Sequence, residues 1–203
     1  MSESATVSTD TLPATWEDDA TFRGAVERFK SLRLFSLLND PGCFGSTYSK
    51  EVEYPDSRWQ EKLQSPDVFH VIASLPVEDQ DMTGQRSFPE GNWIGMVVPR
   101  RVKQESTAQL EDGLYVITGM FVRPEVRGMG VGAKLVKHAL AVITADRKQR
   151  REAAARVELT VDTDNVAAIA LYKSCGFCIF KETSAEKATS GRQEVGMYIT
   201  LGR

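Results

Sequence analysis

Apolar positions recur in two rhythms along this chain, and the change from one to the other locates its elements. Gly113 to Val122 is a mainly β-branched and apolar run that reads as a buried strand, whereas Val131, Leu135, Ala139, Val142 and Ile143 recur at helical spacing. Helical patterns also cover Thr21 to Asn39, where Phe22, Val26, Phe29, Leu32, Leu34, Phe35 and Leu38 crowd one broad face and Asp40-Pro-Gly ends the run. Ser57 to Leu63 reads as a short helix, Gly130 to Arg150 as a long one, and Asn165 to Cys175 as one stopped by Gly176. Strand patterns fall at Asp67–Ser74, Asn92–Val98, Arg156–Asp162, Phe177–Lys181 and Glu194–Leu201. Gly119 interrupts the strand that ends at Val122, which marks a bulge or a close backbone approach. The order predicts an α/β (α+β) fold: a mixed, mainly antiparallel sheet with helices on both faces and one central parallel pair where a helix crosses over.

Composition narrows the class. A chain of 203 residues is long enough for one well-buried domain and short for two, so residues 15–203 are expected to form a single domain. Residues 1–14 are Ser/Thr-rich, without a basic start or an apolar core, and are expected to be a disordered tail, neither signal nor anchor. No apolar run approaches the roughly twenty residues that span a bilayer, so no membrane partner is expected. A net charge of -3 argues against nucleic acid, whose duplex needs a basic stripe to neutralise several phosphates. Cys43, Cys175 and Cys178 cannot all pair with one another, and Cys175-x-x-Cys178 has no second ligand pair. Reduced thiols in the cytoplasm and no metal site are therefore expected.

The chemistry concentrates where the strand rhythm gives way to the helical one. Three alternate glycines, Gly128, Gly130 and Gly132, follow Arg127 at this junction, where unpaired backbone N–H groups and the positive end of a helix dipole converge on an anion. A nucleoside-triphosphate loop would need Gly-Lys followed by Ser or Thr, but Gly132 is followed by Ala133 and Lys134. Gly128-x-Gly130-x-x-Ala133 satisfies the relaxed dinucleotide fingerprint, yet Pro124 and a charged loop separate it from its strand, where a dinucleotide fold has a tighter turn. A strand ending in Val-x-Pro and then Arg127-Gly128-Met129-Gly130-Val131-Gly132 matches Arg/Gln-x-x-Gly-x-Gly/Ala in full. Asn165-Val-Ala-Ala-Ile-Ala-Leu-Tyr172-Lys-Ser-Cys-Gly176-Phe177 supplies a second match in the right order. Together the two motifs resemble those of the GCN5-related N-acetyltransferase (GNAT) superfamily, over roughly Trp93 to Thr200.

The resemblance implies a fold, a donor and a set of residues. The central parallel strands should splay, and the pantetheine arm of acetyl-coenzyme A should enter the wedge between them. Arg127 and the main chain of Gly128, Met129, Gly130, Val131, Gly132 and Ala133 should bind its pyrophosphate, with Arg127 as the charged contact. Main-chain groups of Met120, Phe121 and Val122 should hold the acetyl carbonyl and pantetheine amides. Asn165 is expected both to cap its helix and to approach the cofactor arm. Tyr172, two helical turns later on the same face, is the expected catalytic residue, donating a hydrogen bond to the departing sulfur. With ordinary values near 10 for a phenol and about 8.5 for a thiol, full proton transfer is uphill by about 2 kcal/mol, so stabilisation of the leaving group is the favoured role. The stretch Phe44-Gly-Ser-Thr resembles one that lies near the acceptor pocket in this superfamily.

The acceptor side is less legible. Forming a free amine from an alkylammonium at neutral pH costs about 4 kcal/mol, so a base or a water wire is expected. The carboxylate some relatives carry on the strand Leu114–Val122 is absent, leaving Glu51, Glu53, Glu158 and His70 as candidates. His138 reads as structural. The expected activity is cytoplasmic acetyl transfer to a primary amine of a small molecule or protein by a monomer or homodimer, without an acyl-enzyme. The alternatives are a non-catalytic coenzyme A-binding module and, more distantly, an NAD(P)-dependent oxidoreductase. An acidic stretch at Glu78, Asp79 and Asp81 is read as a solvated loop, with attraction of polyamines, aminoglycosides or lysine side chains as the alternative.

Overall fold

The computed structural model describes residues 6–76, 91–103, 112–183 and 192–202; the acidic stretch at 78–81 lies outside them. In chain order the elements are β1 (Ser8–Thr11), α1 (Asp19–Asn39), α2 (Tyr48–Glu51), α3 (Asp56–Gln64), β2 (Val71–Leu75), β3 (Asn92–Arg101), β4 (Asp112–Val122), a 3-10 turn (Pro124–Val126), α4 (Val131–Gln149), β5 (Ala154–Asp162), α5 (Val166–Ser174), β6 (Cys178–Thr183) and β7 (Glu194–Leu201). One seven-stranded sheet runs β1-β2-β3-β4-β5-β7-β6. Every neighbouring pair is antiparallel except β4 and β5, which α4 connects as a crossover. This is the expected fold class.

The sheet has a core on each face. Val131, Leu135, Val136, Ala139 and Ile143 of α4 pack with Tyr115, Ile117, Val157 and Met197 on one side. Phe29 and Leu32 of α1, with Trp59 and Leu63 of α3, pack against Ile72, Met96 and Phe121 on the other. Tyr115, Ile117 and Phe121 are all odd-numbered residues of β4, yet Phe121 faces the opposite core. Strict alternation would keep the three together. The phase slips at Gly119 and Met120: Val98 pairs with Thr118 and Met96 with Phe121, so Val97 opposes two residues of β4. Gly119 sits at φ +61° with Val98 Cγ2 only 3.1 Å from where a Cβ would be, which is the reason for a glycine there. The slip turns Phe121 toward Phe35 of α1, ring centroids 6.0 Å apart, and sends Met120 to the α4 side.

A second irregularity lies beside the first. The parallel ladder runs from Asp112↔Ala154 to Val116↔Glu158 and stops, although β4 continues to Val122 and β5 to Asp162. Beyond it the two strands diverge into a wedge.

The N-terminus differs from expectation. Ser8–Thr11, within the stretch read as a disordered tail, is an edge strand paired with β2 from Ser8↔Ser74 to Thr11↔Val71. His138 on α4 fastens it, its Nδ1 2.9 Å from Thr9 Oγ1 and its Nε2 3.0 Å from Thr11 Oγ1. A polar four-residue edge strand has no apolar alternation to reveal it. Among the described residues no helix is long and apolar enough to cross a membrane.

Candidate functional site

A cavity of about 1390 Å³ opens where the wedge, the glycine turn and the loop after α1 meet. The turn is built by backbone necessity. Gly128 and Gly130 both lie at φ +78°, and among the described residues no atom beyond their chain neighbours lies within 4 Å of where either Cβ would stand, so their open faces belong to the cavity. Gly130 is the N-cap of α4 and offers no side-chain acceptor, and the first helical closure is Lys134 N–H to the Gly130 carbonyl at 3.1 Å. The N–H groups of Val131, Gly132 and Ala133 therefore have no intrahelical acceptor, which is the geometry that binds anions at a helix start. Gly132 serves a different purpose. A Cβ there would stand 3.0 Å from Leu171 Cδ2 and 3.4 Å from Met120 Cε, so its absence lets α4 meet α5 and the end of β4. Met129 is 62% exposed and its side chain does not line the cavity.

The opposite wall is α5. Asn165 is its N-cap, with Oδ1 accepting the Ala168 N–H at 3.1 Å, and it also lines the cavity. Tyr172 lines the same cavity from a buried position, its ring edge-on to Phe177 with centroids 5.7 Å apart. Its hydroxyl has no hydrogen-bond partner among the described residues. Burial pushes its pKa up from the ordinary 10, and Cys175 nearby pushes the same way. The phenol thus keeps its proton at any physiological pH and is a donor in search of an acceptor.

Arg127 is placed differently from the expectation that it reaches an anion directly. Its Nε donates to the Val122 carbonyl at 2.9 Å, and its guanidinium pairs with Asp40 at 2.5 Å. Asp40 is the C-cap of α1 and begins the loop that carries Gly42, Cys43, Phe44, Gly45 and Ser46 into the cavity lining. The far side of this loop meets Arg192, whose Nη2 stands 2.6 Å from the position of a Gly42 Cβ and whose Nη1 lies 3.5 Å from Asp162 at the end of β5. The loop therefore spans the mouth of the wedge, tied to the glycine turn on one side and to the β5 and β7 ends on the other. Phe44-Gly-Ser drew attention to part of this loop; the Asp40 and Arg192 contacts join residues too distant in sequence to leave a local signal.

The four candidate bases fare poorly. Glu51 is buried under α1 and α3, where Arg33 at 2.7 Å and Lys62 at 3.1 Å grip it. Burial alone would raise its pKa, but the two cations win and bring it down to about 2. A carboxylate held so firmly in its ionised form is a poor proton acceptor near neutrality. Burial lowers His70 to about 4, and its Nε2 donates to the Lys62 carbonyl at 2.9 Å, leaving a buried Nδ1 with no partner among the described residues. Glu158 pairs with Arg156 at 2.5 Å, Glu53 is exposed, and neither lines the cavity.

The chain is similar to known proteins in part of its sequence and in its fold. Over 74 residues, 36% of the chain, the sequence is 35% identical to mycothiol acetyltransferase of Rothia mucilaginosa, and that match spans only 20% of the relative's length. Among solved structures the fold is similar to Arabidopsis thaliana NAA60 in complex with acetyl-CoA, with 16% identity, a TM-score of 0.60 and coverage of 96% of this chain and 98% of that one. It is similar to the same degree, TM-score 0.60, to spermidine N-acetyltransferase from Vibrio cholerae bound to CoA and spermine, with 18% identity over 96% of this chain and 95% of that one. The model of the acetyltransferase (GNAT) family matches residues 40–177, a span that holds the loop after α1, the wedge, the glycine turn and Tyr172, and the chain belongs to that family.

Proposed function

We propose that this protein transfers the acetyl group of acetyl-coenzyme A directly to a primary amine. The observation that carries the reading is the juxtaposition of the open glycine turn, the wedge beyond Val116 and the buried Tyr172 phenol around one cavity. Acetyl-coenzyme A is the cosubstrate, and it supplies an activated thioester. The residues present fit it. Free N–H groups at Val131, Gly132 and Ala133 suit a pyrophosphate, and the wedge-side main chain of Met120, Phe121 and Val122 suits an arm that carries amides. Asn165, whose Oδ1 already accepts the Ala168 N–H, can offer its amide N–H groups to that arm. Tyr172 holds its proton and donates a hydrogen bond toward the sulfur as negative charge develops there. Because its pKa is raised, handing the proton over is uphill by more than the about 2 kcal/mol of an ordinary phenol and thiol.

Glu51 and His70 are both shifted away from neutrality, which disfavours them as the base that deprotonates the amine. No acyl-enzyme is required. Cys43 and Cys178 are exposed, Cys175 is partly so, and burial together with Asp40 pushes the Cys43 thiol up, away from a reactive thiolate. Three free thiols support a cytoplasmic setting. The test is direct. Calorimetry should show acetyl-coenzyme A binding, and a panel of primary amines should accelerate release of free thiol; the absence of binding would overturn the reading.

The Arg127–Asp40 pair adds a prediction. Asp40 competes with a bound pyrophosphate for the Arg127 guanidinium, and a half-exposed pair of this kind is worth up to about 1 kcal/mol. Asp40→Asn should therefore tighten acetyl-coenzyme A binding by about two- to fivefold, measured by calorimetry at low salt. Unchanged or weaker affinity would show that Arg127 does not turn toward the pyrophosphate.

A further inference from the structure

The cavity is charged with opposite signs at its two ends. Where β5 and β7 meet the wedge mouth, the lining carries Asp162, Asp164 and Glu194 with Arg192. Beneath α1 and α3 it carries Arg33, Arg58, Lys62 and Arg100, with Glu61 as the lining carboxylate. Among the described residues, neutralisation of this second arm is incomplete. Glu51 supplies one negative charge between Arg33 and Lys62, and Glu61 is matched by Arg58 at 3.1 Å. Lys62 is left partly solvated by rings, its Nζ 4.7 Å from the Trp59 centroid and 5.1 Å from that of Tyr54. Arg100 is exposed on β3 opposite Val116, and has no ion-pair partner among the described residues. The floor between these cations is uncharged, formed by Phe29, Met96, Val98 and Thr118.

We propose that this arm receives the anionic part of the acceptor, so that the substrate is an amine bearing a carboxylate or phosphate, held by Arg100 with Arg58 and Lys62 beside it. The inference rests on the acetyltransferase reading for the position of the amine, at the wedge beside Met120. Val116, the partner of Arg100, lies four residues before Met120 on β4, which sets the anion roughly 10–13 Å from the amine at about 3.3 Å per residue. A polyamine would bring a second ammonium against the same cations and be repelled.

Matched acceptors separate the possibilities. C-terminally amidated tetrapeptides ending in Glu, Gln or Lys, and 6-aminohexyl phosphate against 6-aminohexanol, differ at the remote end, with Glu against Gln the near-isosteric pair that isolates charge. Binding to the protein–CoA complex and initial rates should both favour the anionic member of each set, about tenfold in Kd and KM over the neutral one, with the lysine peptide weakest. Preference within the peptides alone or the phosphate alone tells which source the arm accepts. Arg100→Gln should abolish the anionic preference and Arg100→Glu should reverse it, while kcat, KM for the neutral acceptors and acetyl-coenzyme A affinity stay unchanged. Equal binding of anionic, neutral and cationic members, no binding by any, or a preference that survives Arg100→Glu overturns the proposal. Normal acetyl-coenzyme A binding in the same samples would show that the acetyltransferase reading survives that failure; its loss would mean the failure began there.

Discussion

Tyr172→Phe should lower kcat by about a hundredfold or more while leaving acetyl-coenzyme A affinity within about threefold. Removal of one preorganised donor to a developing charge costs on the order of 10²–10³ in rate, and the interaction is absent when the sulfur is still a neutral thioester. The substitution is clean. Phenylalanine keeps the edge-on contact with Phe177, and the lost hydroxyl leaves no partner stranded among the described residues, so the melting temperature should barely move. The loss should be the same from pH 6 to 9, because burial keeps the phenol protonated throughout that range. A loss that grows with pH would mean that Tyr172 gives up its proton in the rate-limiting step, and full turnover at every pH would remove it from the mechanism.

The second large effect concerns stability. Glu51→Gln keeps the side-chain shape but leaves Arg33 and Lys62 facing each other without their shared anion, and breaking a buried pair from one side costs about 3–5 kcal/mol. For a chain of this size that corresponds to a fall in melting temperature of roughly 6–20 °C. The pH dependence has a defined sign. Glu51 is depressed from an ordinary 4.5 to about 2 in the folded protein, so its stabilisation is complete above pH 4.5 and disappears as pH falls toward 2. The shift corresponds to about 3 kcal/mol. Differential scanning calorimetry of both proteins should show curves separated at pH 7 that converge near pH 2–3. If the gap persisted in strong acid, the carboxylate charge would not be its source. A Glu51→Leu, Arg33→Met, Lys62→Met combination should recover much of the loss, since no charge is then left buried.

Local rules were readable and distant pairings were not. The strand-to-helix turn at Arg127–Gly132 and the Asn165 cap follow from nearest-neighbour chemistry, and both stand in the structure where the residues placed them. Gly119 announced an irregularity, but not its consequence: that Phe121 changes core faces depends on which residue of β3 absorbs the slip. Ser8–Thr11 was invisible because its strand character is imposed by the free edge of β2 and by His138, not by its own hydropathy. Glu51 looked like a free base because the two cations that hold it come from positions 18 residues before and 11 residues after it. The tie between Arg127 and Asp40 spans 87 residues, so the residue expected to greet the anion turned out to be held by an aspartate at the end of α1.

The early stop of the parallel ladder at Val116 and Glu158 has a consequence for what the protein can accept as a donor. Beyond that point the facing peptide edges of β4 and β5 make no ladder hydrogen bonds with each other, and either water or a guest whose own amides repeat at a compatible interval can satisfy them. A donor whose tether carries such amides is therefore expected to bind more tightly than one without them. A simple acetyl thioester of the same reactivity, lacking that peptide-like tether, should leave both edges hydrated and turn over more slowly.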